Sequence, residues 1–291
     1  MQSRDIARLF LLASIWGFSF IFLRILSPVL GPILTADLRM SIAGLALVAW
    51  LQFTRTSLNL KQDWRRYFYV GMLNAGIPFV LFSFAALHLP AGYSAVLNAS
   101  VPLLSAIFSA IWLSEMLTLR KLTGMLIGCC GVVLISRVGT VNNDPLFGMA
   151  ILACLGATTC YALSGIYLKK FASDMTPMSI TCGSQLVAGI ALAPLALATA
   201  PAHITLTPLI ILSVLGISLI CSALAYLLFY RIMADCGPTN AFMVTFIVPV
   251  FGMLWGWVFL SEPITPPMIG GCALVLLGTA LVIRKNKQIA A

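Results

Sequence analysis

Apolar residues run along this chain in blocks long enough to cross a bilayer, and polar residues gather in the short gaps between them. Ten such blocks can be marked, at 7–26, 33–53, 67–87, 91–114, 120–137, 147–169, 177–199, 207–233, 239–260 and 266–284. A bilayer core takes about 20 helical residues. In lipid every backbone polar group needs a partner within the protein, which leaves helices or a closed barrel. The blocks are far too long and continuous for barrel strands. The pattern therefore predicts an all-α integral membrane protein of ten transmembrane helices. The longest connection, around 54–66, is basic, and 138–146, with Asn142-Asn143-Asp144-Pro145, joins the halves.

Polar positions inside the blocks keep helical spacing. Ser94, Asn98, Val101 and Ser105 follow i, i+4, i+7, i+11, and Ser218, Ser222, Tyr226 and Tyr230 follow strict fours, so each set makes one stripe on one helix. Asn74, Pro78, Phe79 and Phe82 share the third block, and Thr245 and Pro249 the ninth. Trp16 and Phe20 lie one turn apart in the first. Polar groups within a bilayer are costly and face a cavity or a partner helix. Two readings therefore stand for each serine or threonine, cavity lining or glue between helices.

Charge confirms the membrane reading. Charged residues make up 9% of the chain and apolar ones 61%, with mean hydropathy +1.05. Soluble domains carry about a quarter charged residues. The net charge of +9 would suggest nucleic acid in a soluble protein, but its distribution gives another meaning. With the N-terminus in the cytoplasm, the inner segments hold Arg4, Arg8, Arg55, Lys61, Arg65, Arg66, Arg120, Lys121, Lys169, Lys170, Arg231, Arg284, Lys285 and Lys287, and the outer segments hold Arg137 alone. This asymmetry predicts a multi-pass protein of a bacterial-type inner membrane with both termini cytoplasmic and lipids as its surroundings. Residues 7–26 read as a first span and not as a cleaved signal, being too long and without a small-x-small site before a soluble domain.

The chain also repeats itself. Shifted by 147 positions, Ala91 to Arg137 falls on Pro238 to Arg284 without a gap. Pro102 lands on Pro249, Ser114-Glu115 on Ser261-Glu262, Gly124 on Gly271 and Gly131 on Gly278. A weaker match at 145 sets Trp16 on Tyr161, Gly17 on Ala162, Ser19 on Ser164 and Leu23-Arg24 on Leu168-Lys169. A unit of five helices has an odd number, so its second copy must enter the membrane upside down. Residues 1–140 and 141–291 are thus expected to be inverted repeats, the form of many secondary transporters.

The Trp16-Gly17-Phe18-Ser19 motif, Leu38-Arg39, Pro102, the twice-used Ser-Glu and the glycine-rich fifth and tenth helices resemble the drug/metabolite transporter superfamily, specifically its ten-helix EamA-type exporters. The resemblance spans nearly the whole chain. It implies a basket-like fold with a central cavity lined by helices 1, 3, 4, 6, 8 and 9, with helices 5 and 10 peripheral. Members carry amino acids, nucleosides, drugs and other small metabolites.

The candidate substrate cavity comprises Trp16, Phe20, Asn74, Phe79, Ser94, Asn98, Tyr161, Ser164, Ser222, Tyr226 and Thr245. Pro78, Pro102 and Pro249 each delete a helix hydrogen bond, and are read either as hinges for alternating access or as static bends. Asp37, Arg39 and Arg24 are the charges to explain. A lone charge near a membrane helix centre costs about 2.5–3.5 kcal/mol on insertion scales. Asp37 and Arg39 point apart, so the expected pair is Asp37 with Arg24, leaving Arg39 to reach the interface or a substrate carboxylate. Charge coupling through Asp37 is the alternative to a structural pair. Thr118 and Thr265 are expected N-caps, with Pro266 at the favoured first helical position. His88 and His203 fall in outer loops as solvated residues, and Asn98-Ala99-Ser100 is a glycosylation sequon inside a helix.

Eight cysteines sit almost wholly within the blocks without ligand spacing, as small packing residues, so no metal or other cofactor is called for. P-loop, HExxH and GxSxG motifs are absent. The expected function is that of a non-enzymatic secondary-active or facilitative exporter of a small metabolite, an amino acid or similar solute, working by alternating access. A drug or nucleoside exporter, a membrane ligand sensor and a channel are the alternatives. The expected partner is the small-molecule substrate, with no nucleic acid.

Overall fold

The computed structural model describes residues 3–53, 58–138 and 144–283, without the side chains of 137, 138, 238 and 239. Arg55, Asn142, Asn143, Arg284, Lys285, Lys287 and the Arg137 side chain lie outside the described residues. Ten long helices follow: α1 Ser3–Leu30, α2 Pro32–Phe53, α3 Leu60–His88, α4 Ala91–Trp112, α5 Leu119–Val138, α6 Phe147–Phe171, α7 Pro177–Ala198, α8 Pro208–Cys236, α9 Val244–Leu260 and α10 Pro266–Ile283. Among the described residues nine are long and apolar enough to span a membrane, and α9 is shorter, with a single turn at Pro238–Ala241 before it. The fold is all-α, as the blocks predict. Large side chains such as Phe53, Leu126, Leu152, Leu197 and Leu212 stand exposed around the outside, where lipid is the natural solvent for them.

Helices α5 and α10 pack on each other through glycine. A Cβ on Gly124 would lie 2.7 Å from the Gly278 carbonyl, and one on Gly131 would lie 2.8 Å from that of Gly271. Small residues let membrane helices approach backbone to backbone. Residue 124 stands near the start of α5 and 278 near the end of α10, so the helices run antiparallel. Exchanging equivalent residues of the two halves turns the pair Gly124–Gly278 into Gly271–Gly131, which is the second contact. The same exchange holds in the corners. Ser114 and Ser261 both adopt φ 54°, a left-handed turn that redirects the chain after α4 and α9.

The helices that carry polar stripes are irregular. In α3 residues Met72–Gly76 form a π segment, where the Ile77 N–H reaches the Met72 carbonyl five residues back. Pro78 follows and cannot donate to Asn74, which favours the wider turn. Helix α8 has its own π segment at the corresponding place, Gly216–Leu224, without a proline. Helix α4 breaks after Asn98 and resumes at Val101, with Pro102 in the first turn of the second piece. Pro249 differs from its counterpart, since α9 continues through it and the interruption falls earlier, at Phe242–Met243. Equivalent prolines do not make equivalent bends here.

Thr118 caps α5 by accepting from the Lys121 N–H at 3.3 Å. The expected Thr265 cap is not formed, and its buried hydroxyl has no partner among the described residues. Pro266 and Pro267 remove two of the N–H groups at that end, and the Met268 N–H bonds the Thr265 carbonyl instead. His88 is the last residue of α3 and holds Asp144 at 2.9 Å, so it is not the free loop residue the sequence suggests.

The α5–α10 seam leaves no room for a branched side chain. Gly278→Val should lower the apparent unfolding midpoint in detergent by roughly 5–10 °C, since overpacking costs about 1–3 kcal/mol. Gly148→Val, placed where a Cβ meets nothing within 4 Å, should leave it unchanged. Equal midpoints for the two variants would contradict the packing described.

Candidate functional site: a membrane cavity open at one end

A cavity of ≈ 1060 Å³ runs from the middle of the helix bundle to the end that carries Glu115. Its inner chamber is aromatic. Trp16 meets Tyr226 at 6.1 Å between ring centroids and Phe229 at 5.5 Å, Phe82 meets Phe20 at 5.7 Å and Tyr161 at 6.2 Å, and Tyr226 stacks on Tyr230. Asn74, Phe79, Asn98 and Arg39 complete the chamber. Ser105, Ser109 and Thr245 carry the wall outward to a mouth that includes Glu115, Lys121 and Lys169.

Of the eleven residues expected to line the cavity, eight do. Ser94, Ser164 and Ser222 stand outside its lining. Ser94 is buried against Cys154, whose thiol lies 3.8 Å from the Ser94 hydroxyl, and the break after Asn98 separates it from the rest of its stripe. Ser164 is 1% exposed, with its hydroxyl unpaired. Ser222 lies in the π segment of α8, whose wide turns take it and Ser218 off the face that Tyr226 and Tyr230 present. Its hydroxyl donates to the Ile217 carbonyl and accepts from Arg39 Nε at 2.9 Å. Helix α2 was not expected in the wall, yet it contributes Arg39. Ends of α7 and α10 also reach the mouth.

The charges are arranged differently from the expected Asp37–Arg24 pair. Arg24 pairs with Glu262 at 3.2 Å and donates to the Ala86 carbonyl at 2.6 Å. Glu262 also accepts from the Ala91 N–H at 2.8 Å. One knot thus ties α1, α3, α4 and the α9–α10 corner, and it closes the end opposite the mouth. Asp37 is buried outside the cavity, with Ser41 Oγ at 3.4 Å. Arg39 stacks on Phe79 with its guanidinium carbon 3.8 Å from the ring centre.

At the mouth Glu115 holds Lys169 at 2.9 Å and Lys121 at 3.6 Å. Lys169 is the sequence counterpart of Arg24 and Glu115 that of Glu262, so this pair is the exchange image of Arg24–Glu262. What surrounds it is not. Helix α1 packs on α3 and α4 at the knotted end, whereas their images, α6 with α8 and α9, have no comparable packing. The difference is the opening.

A chamber inside a multi-helix membrane protein, shut at one end and open at the other, is the architecture of a membrane transporter. The sequence profile of the EamA-like transporter family matches residues 6–137 and again 148–284, and the chain belongs to that family, within the drug/metabolite transporter superfamily. An uncharacterized transporter of Bacillus subtilis, YvbV, is 28% identical over 293 residues, covering 98% of this chain and 93% of the relative. The S-adenosylmethionine/S-adenosylhomocysteine transporter of Chlamydia muridarum is 23% identical over 308 residues, covering 96% and 91%. A solved crystal structure with 20% identity superposes at TM-score 0.67 over 97% of this chain and 96% of that one, which shows the shared fold.

Glu115 and Glu262 are the chain's two glutamates, which makes them separable by isotope labelling. Lys169 holds the Glu115 carboxyl below its ordinary value of 4.5, and burial pushes Glu262 above it despite its N–H and Arg24 partners. The Glu115 pair therefore contributes stability above pH 4.5 that is lost as pH falls through the lowered value. Carbon NMR of protein labelled at glutamate should show two carboxyl titrations on opposite sides of 4.5, and Lys169→Gln should move the lower one up. Two coincident titrations would contradict the two environments.

Proposed function

We propose that this protein is a secondary-active or facilitative transporter that exports a small metabolite, an amino acid or similar solute, by alternating access. The observation that carries the reading is the cavity itself, open at the Glu115 end and tied shut by Arg24 and Glu262 at the other. A channel would need both ends open together, and a sensor has no need of a chamber with exchange-related ends. In this reading residues 1–140 and 141–291 are inverted repeats, and the second state of the transporter is reached when each repeat adopts the other's arrangement.

The basic residues support an orientation. Arg8, Arg65, Arg66, Arg120, Lys121, Lys169, Lys170 and Arg231 stand at the Glu115 end, against His88, Arg24 and His203 towards the other. By the positive-inside rule the mouth faces the cytoplasm, with both termini on that side of a bacterial-type inner membrane. An exporter at rest would wait in that state for its solute. The relative's name that gives S-adenosylmethionine and S-adenosylhomocysteine as solutes is in keeping with a small polar cargo.

Purified protein in proteoliposomes should exchange internal for external labelled solute when screened against amino acids, nucleosides and cationic drugs. Asn98→Ala and Tyr226→Ala should each weaken the apparent affinity by about 2- to 10-fold, as expected for a lost hydrogen bond, with the protein still made and folded. Binding without any exchange would overturn transport in favour of a sensor, and unsaturable flux would favour a channel.

A further inference from the structure

The central chamber holds one charge that no acid among the described residues answers. All eight acids of the chain are described, and seven of them lie within 4 Å of a basic side chain: Asp5 and Asp235 with Arg8, Asp63 and Asp174 with Arg66, Glu115 with Lys169, Asp144 with the His88 ring, and Glu262 with Arg24. The eighth, Asp37, sits two residues from Arg39 on the same helix and is not among the residues lining the cavity. Arg39 is 7% exposed and has no carboxylate within 4 Å among the described residues. Its Nε is taken by Ser222 and its face by Phe79. The two remaining guanidinium nitrogens have no acceptor among the described residues, and they are not sealed off, so they open on the chamber.

A buried guanidinium without a counter-charge is unfavourable in a membrane. The way Arg39 is held makes its free edge a ready-made fork. Ser222 fixes one nitrogen from behind, Phe79 fixes the plane, and the outer edge is left for the planar, two-oxygen partner that arginine fits best. The Asn74 amide and the Tyr161 and Tyr226 hydroxyls line the same chamber with no hydrogen bond among the described residues. Beside them the aromatic wall of Trp16, Phe20, Phe79 and Phe82 offers an apolar seat. No acid lies deeper in the cavity than Glu115 at the mouth, so a cationic solute would find only neutral acceptors and a repelling charge.

We infer that the transported solute carries a carboxylate, that Arg39 binds it with its free edge, and that the rest of the solute is an aromatic or apolar body packed in the chamber. The inference rests on the transporter reading and narrows it to one chemical class. One net positive charge matches one carboxylate. Substrate and guanidinium then neutralise each other as they cross, so the loaded chamber carries less charge through the membrane than the empty one.

A matched set of probes tests this on the full-length protein: 3-phenylpropionate, its neutral amide, and the cation phenethylamine. Thermal shift in detergent reads binding directly, because a ligand of the folded state raises the midpoint by mass action. The acid should raise the midpoint and the amide and amine should not. Arg39→Gln should weaken acid binding by about 10- to 100-fold, the range of a charge-assisted hydrogen bond. Arg39→Lys, which keeps the charge and loses the fork, should fall between. A merely structural arginine would affect all probes alike or none. Equal binding of acid and amide, stronger binding of the amine, no binding of the acid, or acid binding unchanged in Arg39→Gln each overturns the inference. None of these touches the transporter reading, which is decided separately by whether solute exchange in proteoliposomes occurs and saturates. Should Arg39→Gln not fold, the acid-to-amide comparison on the unaltered protein decides alone.

Discussion

Arg24 and Glu262 hold one end of this molecule shut, and the shape of everything below them follows. The carboxylate takes the guanidinium at 3.2 Å and the Ala91 N–H at 2.8 Å, while the guanidinium also takes the Ala86 carbonyl. Three helices and the α9–α10 corner meet at that one knot. A charged pair is worth little at a wet surface and much more where water is thin, and here it lies half-sheltered between helices. With that end gathered, the same helices diverge toward Glu115 and the cavity opens between them.

The counterpart at the mouth is instructive because it is incomplete. Lys169 and Glu115 reproduce the ion pair, and Ser114 reproduces the left-handed corner of Ser261. The residue that corresponds to Ala91 is Pro238, which has no N–H to give. Glu115 therefore cannot complete the knot that Glu262 makes, and the mouth lacks one of the ties that hold the other end. A duplicated chain has departed from its own symmetry at the atom that would make the two ends equally strong. On the transport reading, this favours the open mouth as the resting state.

Much of this was legible in the sequence, for identifiable reasons. Hydrophobic block length gave the ten helices, because a bilayer leaves no other way to satisfy the backbone. The repeat at 147 pointed to the glycine seam and to the paired Ser-Glu corners. Trp16, Asn74, Asn98, Tyr161 and Tyr226 reached the chamber because large polar or amphipathic side chains in mid-membrane have few other places to go. The small hydroxyls were less predictable, since Ser94, Ser164 and Ser222 fit equally well between helices. The stripe on α8 also assumed a regular helix, and a π segment with no proline to announce it rotated Ser218 and Ser222 away. Arg24 was expected to meet Asp37 because the two lie toward the same side of the first and second helices, whereas its partner Glu262 lies 238 residues away and becomes visible only when Lys169–Glu115 is recognised as the same pair in the other repeat.

The central claim is that the two ends are exchange images held in opposite states. Pulsed electron resonance between spin labels on a cysteine-free background tests it most directly, with one pair at the mouth, on Ser173 and Met233, and one at the knotted end, on Pro28 and His88. Adding a transported solute should shorten the mouth distance and lengthen the other in the same population. Distances that stay fixed, or that shorten or lengthen together, would contradict the account.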